Sequence, residues 1–400
     1  MYETNIIIYY HKDNRYSFHP LIPLLENYFN IYFARNEEEL LSLIEGIKGE
    51  KILLFSFFTT QILEIKNLIE KIRSLKINNL TLIAGGAHPT GRPKEILDLG
   101  FDYVVCGEGE YVILDLIKER KENKIIYGKQ VLNLDQFLPF SEKYKKFGPI
   151  EISRGCPFGC YFCQTPFLFG KNMRHRSIDN ILKLIDILIK NNKKDIRFIT
   201  PNALAYGSFD GKSINYFLLE ELLKSIREKI KNKGRIFFGT FPSEIRPEFV
   251  NEETISLIKK YCDNDNLVIG CQSGSERILK LINRGHKIAD IYKATEIIIK
   301  NNLKANLDFI FGFPNEEEED IKETIKVIKD LTKMGARIHL HTFIPLSQTP
   351  LFEIGLKDFS YNKEIKKLIK ELLPKGKIYG NWERQLIIRK RLIEFYKNWN

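Results

Sequence analysis

The feature that most constrains this chain is a regular alternation. Short runs rich in Ile, Leu and Val alternate with amphipathic stretches up to about residue 342. In the first part the runs fall at 6–10, 31–34, 52–57, 80–84 and 103–106. Runs this short, without polar alternation, read as strands buried on both faces, the habit of parallel sheets. Helical periodicity lies between them, near 21–28, 37–45, 61–74 and 94–99, with 110–121 after the last. Parallel strands need crossover helices, so an α/β fold follows: a Rossmann-like, doubly wound parallel sheet over residues 1–128.

Residues 129–149, with Pro139 and Pro149, read as a linker. A second series follows over 150–350. Its strand candidates are 150–153, 196–200, 236–240, 267–270, 305–311 and 338–342. Helical patterns lie near 178–191, 215–231, 251–261, 288–301 and 318–334. Six βα units in series predict a partial (β/α)6 barrel, whose chemistry belongs at the carboxyl ends of its strands. Residues 351–400 read as a helical C-terminal extension, broken at Pro374, Gly376 and Gly380.

Composition narrows the function classes. Apolar residues are 44% and charged residues 28% of the chain, so disorder and coiled coil are excluded. No apolar run approaches the ~20 residues of a membrane helix, and the N-terminus lacks the pattern of a secretory leader. A cytoplasmic protein is expected. The net charge is +11, and residues 355–400 carry twelve Lys or Arg against five Asp or Glu. Such a tail suits an anionic substrate, RNA or an acidic partner, or is a solvated helical face.

Three of the six cysteines fall within eight residues, as Cys156-Pro-Phe-Gly-Cys160-Tyr-Phe-Cys163. The loop follows directly on the first barrel strand. Three thiolates can hold a [4Fe–4S] cluster with one iron open. Zinc is the competitor, but structural zinc wants four ligands and no fourth is nearby. Cys106, Cys262 and Cys271 form no second motif and read as small buried residues. The first sheet's strand ends read Ser56-Phe-Phe-Thr-Thr, Gly85-Gly-Ala-His-Pro-Thr and Gly107-Glu-Gly-Glu. They are rich in glycine and hydroxyls, as a backbone-lined cradle is.

The cysteine motif resembles that of the radical S-adenosylmethionine (SAM) enzymes. The resemblance implies that SAM chelates the open iron and that one electron cleaves it to a 5′-deoxyadenosyl radical. It places Phe162 near the adenine. Gly270-Cys-Gln-Ser-Gly-Ser, with Asn283-Arg-Gly-His, resembles the family's fourth-strand region. That implies Gln272 and Ser273 near the ribose and methionine parts of SAM, and Arg284 on its carboxylate. Leu307-Asp308-Phe-Ile-Phe-Gly-Phe-Pro resembles the fifth strand, and His341-Thr-Phe-Ile344-Pro the sixth, where backbone meets adenine. The family often carries Gly-Gly-Glu after its second strand to hold the SAM amine. Here the segment is Thr200-Pro-Asn202, leaving Asn202 as the candidate.

The segments from Ile83 to Thr90 and from Phe101 to Glu110 resemble the cobalamin (B12)-binding domain found before many radical SAM enzymes. That implies Ser56, Thr59, Gly85, Gly86, Gly107, Glu108 and Gly109 at cobalamin, with His88 either touching it or fixing its own turn. The Asp-x-His-x-x-Gly motif of other cobalamin proteins is missing. His11 and His19 stand in the equivalent loop at the wrong spacing, so cobalt is expected without a histidine below it.

Together the chain is similar to archaeal cobalamin-binding radical SAM proteins of the methyltransferase type. The resemblance implies methylation of an unreactive carbon of a peptide, protein or small anionic molecule, by way of methylcobalamin and the 5′-deoxyadenosyl radical. It also implies a reductase or ferredoxin-like electron donor. No protein group beyond the cluster is assigned to catalysis, and RNA is the less favoured partner. Two alternatives stand. Methylthiotransferases acting on tRNA share the barrel, but their N-terminal domain carries cysteines for a second cluster, where this chain has only Cys106. A cobalamin-dependent cyclase or rearrangement enzyme is the other.

Overall fold

A computed structural model describes residues 4–399; residues 1–3 of the segment screened for a leader, and residue 400, lie outside the described residues. The chain divides into two units. The first is Met1–Gly148 with Phe167–Phe169 and Leu346–Thr349. The second is Pro149–Pro166, Gly170–Pro345 and Pro350–Asn400.

In the first unit the apolar runs become parallel strands: β1 (Thr4–Tyr9), β2 (Asn30–Ala34), β3 (Glu50–Ser56), β4 (Leu80–Gly85), β5 (Tyr103–Cys106) and β6 (Ile125–Tyr127). Their order is β2-β1-β3-β4-β5-β6. The order reverses beside β1, so the strand ends flanking it border a crevice of the kind that takes ligands. Ile6 sits opposite both Ile31 and Ile52, and Ile6, Ile8 and Ile52 are fully buried. The helix Ile62–Ser74 turns Ile62, Ile65, Leu68, Ile69 and Ile72 inward at helical spacing. Two elements depart from expectation. The helix expected near 21–28 is one turn, Ile22–Leu25, with Pro at its start. β6 falls between the helix expected over 110–121 and the linker from 129, where no strand is expected; it is three residues long with its last residue exposed, so it carries little apolar signal.

In the second unit β7 (Ile150–Glu151), β10 (Asp195–Ile199) and β11 (Arg235–Phe237) form one parallel sheet. A second parallel sheet has β12 (Asn266–Gln272), β13 (Lys304–Phe311), β14 (Arg337–Thr342) and β15 (Ile378–Tyr379). An isolated parallel bridge pairs Ile245, in the segment after β11, with Ile269 of β12. A small antiparallel hairpin, β8 (Ser153–Arg154) with β9 (Arg174–His175), flanks the cysteine loop. Side chains alternate along β13 and β14. Leu307, Phe309, Phe311, Ile338 and Leu340 are fully buried on one face. Asp308, Ile310, His339 and His341 therefore share the other face, the barrel interior.

The tail departs from a purely helical reading. Ile378–Tyr379 extends the second sheet beside β14, with Ile338 opposite Ile378 and His339 opposite Tyr379. Helices Lys363–Leu372 and Trp382–Trp399 flank it. Arg389 is buried and donates to the carbonyls of Gly312, Phe343 and Lys357, so one of the tail's cations is spent inside the unit.

Candidate metal and cofactor sites

The cysteine loop is built by its own backbone. Gly155 has φ +88°, and a Cβ there would lie 2.2 Å from the Asn172 carbonyl, so only glycine fits. The Cys156 N–H donates to Gly170 O (3.1 Å) and the Cys163 N–H to Cys160 O (3.1 Å). From the fourth-strand region, the Asn283 amide donates to both Phe158 O and Gly159 O at 3.0 Å. None of the three thiols is bridged. Burial pushes the Cys156 thiol up, and pushes Cys163 up to about 11. Among the described residues no fourth cysteine joins them; Cys106, Cys262 and Cys271 lie in other segments. Three sulfurs without a fourth suit a cluster with an open iron better than tetrahedral zinc.

Two guanidinium groups converge on Cys160. Arg284 Nη1 lies 3.6 Å from its sulfur, and Arg246 Nη1 3.7 Å. Arg284 Nη2 also donates to Gly270 O (2.7 Å). Arg246 Nε donates to Glu248 (2.6 Å), its Nη2 to the Arg284 carbonyl, and its guanidinium lies 3.5 Å from the Phe158 ring centroid. Burial, then the charge of Arg284, holds the Arg246 pKa down. Sequence reasoning singled out Arg284 and missed Arg246. The available signal was a lone cation in Ser-Glu-Ile-Arg, just past a barrel strand.

The remaining SAM candidates divide into spent and unspent groups. Asn202 is buried; its Oδ1 accepts from the Arg246 N–H, while its Nδ2 is buried without a hydrogen-bond partner. Arg284 Nε is buried and unpartnered too. Both orphans are donors, so together they fit a carboxylate such as that of SAM. Gln272 has φ +76° where β12 bulges, and a Cβ at Gly270 would meet both Gln272 Nε2 and Arg284 Nη2 at 2.8 Å. Ser273, by contrast, spends its hydroxyl on Thr324 (3.2 Å) and the Ser275 N–H (3.1 Å). Phe162 packs edge-on to Phe313 (5.8 Å between centroids), beside Ile310 and Phe343, and Ile344 is half-buried just past β14. Asp308 Oδ1 faces His339 Nδ1 at 2.9 Å. Burial would raise its pKa, but the bonds from His339 and His341 outweigh it and hold it below the usual carboxylate range.

In the first unit the glycines sit where β4 and β5 end. Gly86 has φ +92°, and a Cβ there would lie 2.4 Å from Ser56 Oγ. At Gly107, φ +78°, a Cβ would meet nothing closer than the Gly128 carbonyl at 3.8 Å, and Gly85 is similarly open. This bare backbone at the carboxyl edge fits a large flat ligand such as cobalamin. Other candidates are engaged by protein. Fully buried His88 has Nδ1 3.1 Å from Thr59 Oγ1 and Nε2 3.3 Å from Glu95, which Arg92 also pairs. Thr59 also accepts from the Ser347 N–H (3.1 Å). Glu108 is buried and accepts from the Val131 N–H (3.0 Å), and Gly109 packs toward Leu21 and Val105. His19, in the loop that could have ligated cobalt, bonds Tyr10 OH (2.6 Å); burial lowers its pKa to about 3.

Comparison with known proteins now decides the family. Residues 150–328 match the Radical SAM superfamily, and residues 27–117 match the B12 binding domain. The chain is a radical SAM enzyme with a B12-binding domain. Its cofactors are accordingly a [4Fe–4S] cluster, SAM and cobalamin. It is 28% identical over 360 residues to the MJ1620 protein of Methanocaldococcus jannaschii, covering 76% of this chain and 70% of that one. It is 29% identical to a tRNA-2-methylthio-N(6)-dimethylallyladenosine synthase of Sulfurihydrogenibium, covering 70% of this radical SAM chain and 58% of the synthase. In structure it resembles the radical SAM methyltransferase TsrM from Kitasatospora setae, with cobalamin and a [4Fe–4S] cluster bound: TM-score 0.67, 13% identity, 88% of this chain and 77% of that one. That likeness establishes the fold. Among the described residues no helix is long and apolar enough to cross a membrane.

Proposed function

We propose that this radical SAM enzyme is a methyltransferase that methylates an unreactive carbon of a peptide, protein or small anionic substrate. The carrying observation is the pairing of one three-cysteine loop with a first unit almost free of thiols. That unit holds Cys106, buried, with its pKa pushed up by burial to about 11. Methylthio transfer calls for a second cluster, and one buried thiol cannot ligate one. The glycine-edged strand ends support cobalamin in its place.

When bound, the cofactors supply one-electron cleavage of SAM and a transferable methyl group. The chain's own residues have narrower tasks. Cys156, Cys160 and Cys163 would hold the cluster. Arg246 and Arg284 offset its negative charge at Cys160. Arg284 and Asn202 would grip the SAM carboxylate, with Gln272, Phe162 and Ile344 around the rest of the molecule. Gly85 and Gly107 would admit cobalamin by leaving backbone bare, with Gly86 making the turn over Ser56, beside Thr59, Glu108 and Gly109. His88, engaged on both nitrogens, would brace the Gly86 turn. The divisions 1–128, 129–149, 150–350 and 351–400 are proposed as cobalamin domain, linker, barrel and extension. A ferredoxin-like protein or reductase of the cytoplasm would supply the electron.

The test is an anaerobic incubation of cluster- and cobalamin-loaded protein with a strong reductant and SAM carrying a deuterated methyl group. Mass spectrometry then follows the label on bound cobalamin, and 5′-deoxyadenosine. Label on cobalamin together with 5′-deoxyadenosine supports methyl transfer. If 5′-deoxyadenosine forms while cobalamin neither binds nor takes up label, the reading fails and methylthio transfer or cyclisation replaces it.

A further inference from the structure

We infer that Asp308, His339 and His341 form a site for one divalent transition-metal ion, held by two imidazoles and one carboxylate in the barrel interior. Three donor atoms converge there. Asp308 Oδ1 and His339 Nδ1 are 2.9 Å apart, His339 Nδ1 and His341 Nε2 3.1 Å, and His341 Nε2 and Asp308 Oδ1 3.6 Å. Metal–nitrogen and metal–oxygen bonds are about 2.0–2.2 Å, which puts neighbouring ligand atoms about 3.0–3.5 Å apart at octahedral or tetrahedral angles. The triangle has that size. Two histidines and a carboxylate on one face leave the opposite positions open, the pattern of mononuclear iron(II) and catalytic zinc sites.

The rings are held from behind. His339 stacks on Tyr379 with centroids 4.7 Å apart and planes 3° from parallel. Gly380 leaves room for that ring, since a Cβ there would lie 3.0 Å from His339 Cδ2. Gln385 Oε1 accepts from the Thr342 N–H (2.8 Å), which turns its Nε2 toward His341 Nδ1 (3.1 Å). The side chains of His339 and His341 are 32% and 24% exposed, that of Asp308 7%, so the two rings retain access to solvent.

Proton bookkeeping favours a cation. Gln385 as donor puts the His341 proton on Nε2. If His339 then donates to Asp308, two N–H groups oppose each other at 3.1 Å. If His339 accepts from His341 instead, its bare nitrogen is used and faces a carboxylate oxygen at 2.9 Å. If His341 Nε2 is bare, its Nδ1–H meets the Gln385 donor. Every assignment leaves one repulsive contact. A cation takes all three lone pairs at once and moves the conflict out to Gln385, whose amide can turn.

The existence of the site is independent of the proposed reaction. Its use, binding a substrate oxygen or nitrogen at the open positions, rests on that reading. The probe is zinc, added to anaerobic wild-type protein whose cluster is already loaded. One zinc per chain beyond the cluster is expected, with an X-ray absorption spectrum of nitrogen and oxygen neighbours and no sulfur. His339→Ala and His341→Ala should each weaken zinc binding by more than the ~10–100-fold typical of losing an outer-shell partner. Gln385→Glu should tighten it, because a carboxylate accepts from His341 Nδ1–H. No binding at micromolar free zinc, sulfur in the shell, or affinity unchanged in both histidine variants would overturn the site. If the histidine variants do not fold, Gln385→Glu decides, and unchanged or weaker affinity refutes it. Labelling of cobalamin together with 5′-deoxyadenosine in the same wild-type preparation separates the two proposals: zinc binding without them sinks the function and leaves the site, and both without zinc do the reverse.

Discussion

Replacing Arg284 by Lys tests the SAM-carboxylate assignment most directly. The substitution keeps the positive charge and removes the planar fork. In the structure the fork makes two contacts, with Gly270 O at 2.7 Å and Cys160 Sγ at 3.6 Å, and leaves Nε buried and unpartnered. A lysine has one head and no second N–H fixed along that direction. The bond lost to the ligand is charge-assisted, worth about 1.5–3 kcal/mol. At about 1.4 kcal/mol per tenfold, SAM binding should weaken by roughly 10–150-fold. The assay is anaerobic calorimetric titration of cluster-loaded protein with SAM, with iron content measured alongside. Arg277→Lys is the control. Its side chain is 45% exposed, pairs exposed Glu317 and the buried carboxylate of Asp320, and is none of the SAM candidates, so affinity should change by no more than about 0.5 kcal/mol. A dissociation constant for Arg284→Lys within about threefold of wild type, at equal iron content, would refute the assignment.

Other consequences are separable. Serine at Cys156, Cys160 or Cys163 should abolish the iron–sulfur absorbance near 400 nm, while Cys106→Ser should leave it intact; loss in Cys106→Ser would mean that the first unit holds cluster ligands. Gly86→Ala forces a left-handed backbone at φ +92° and a Cβ 2.4 Å from Ser56 Oγ, so it should cost about 1–3 kcal/mol in denaturant unfolding and reduce cobalamin retention on gel filtration. Burial, opposed in part by the Gly312 N–H and reinforced by Asp320, pushes the Glu316 carboxyl from 4.5 up to about 7. The native state therefore keeps a proton that the unfolded chain has already lost, and stability falls as pH rises from about 4.5 to 7. Glu316→Gln should remove that fall, gaining on the order of 2–3 kcal/mol over wild type at pH 8 and little at pH 4; a pH-independent difference would contradict the burial argument.

Much of this architecture is legible in the residues, and the omissions have physical causes. Strands buried on both faces announce themselves as apolar runs, which is why β1 to β5 fall within a few residues of their expected places. β6 and β15 do not, because three-residue and two-residue strands depend on a neighbour's edge rather than on their own composition. The cysteine loop is readable because its ligands are contiguous. Arg246, His339 and His341 come into view only when β11 to β14 are laid side by side, for each looks alone like an ordinary polar residue near a strand end. His88 runs the other way. Its setting among glycines leaves two readings, a cobalamin contact or a residue that fixes its turn, and only the folded chain brings its two ring nitrogens to Thr59 and Glu95.

The path of the chain has a consequence for anyone who would study the halves apart. It passes between the two units at five places, after Gly148, Pro166, Phe169, Pro345 and Thr349. Ser347, nearly three hundred residues from Thr59, belongs to the first unit and caps the hydroxyl that meets His88. Cutting at the linker would release a fragment lacking one of its own walls, so the B12-binding half is not a portable module. The two halves are woven rather than strung, and insertions, swaps or truncations need to respect that weave.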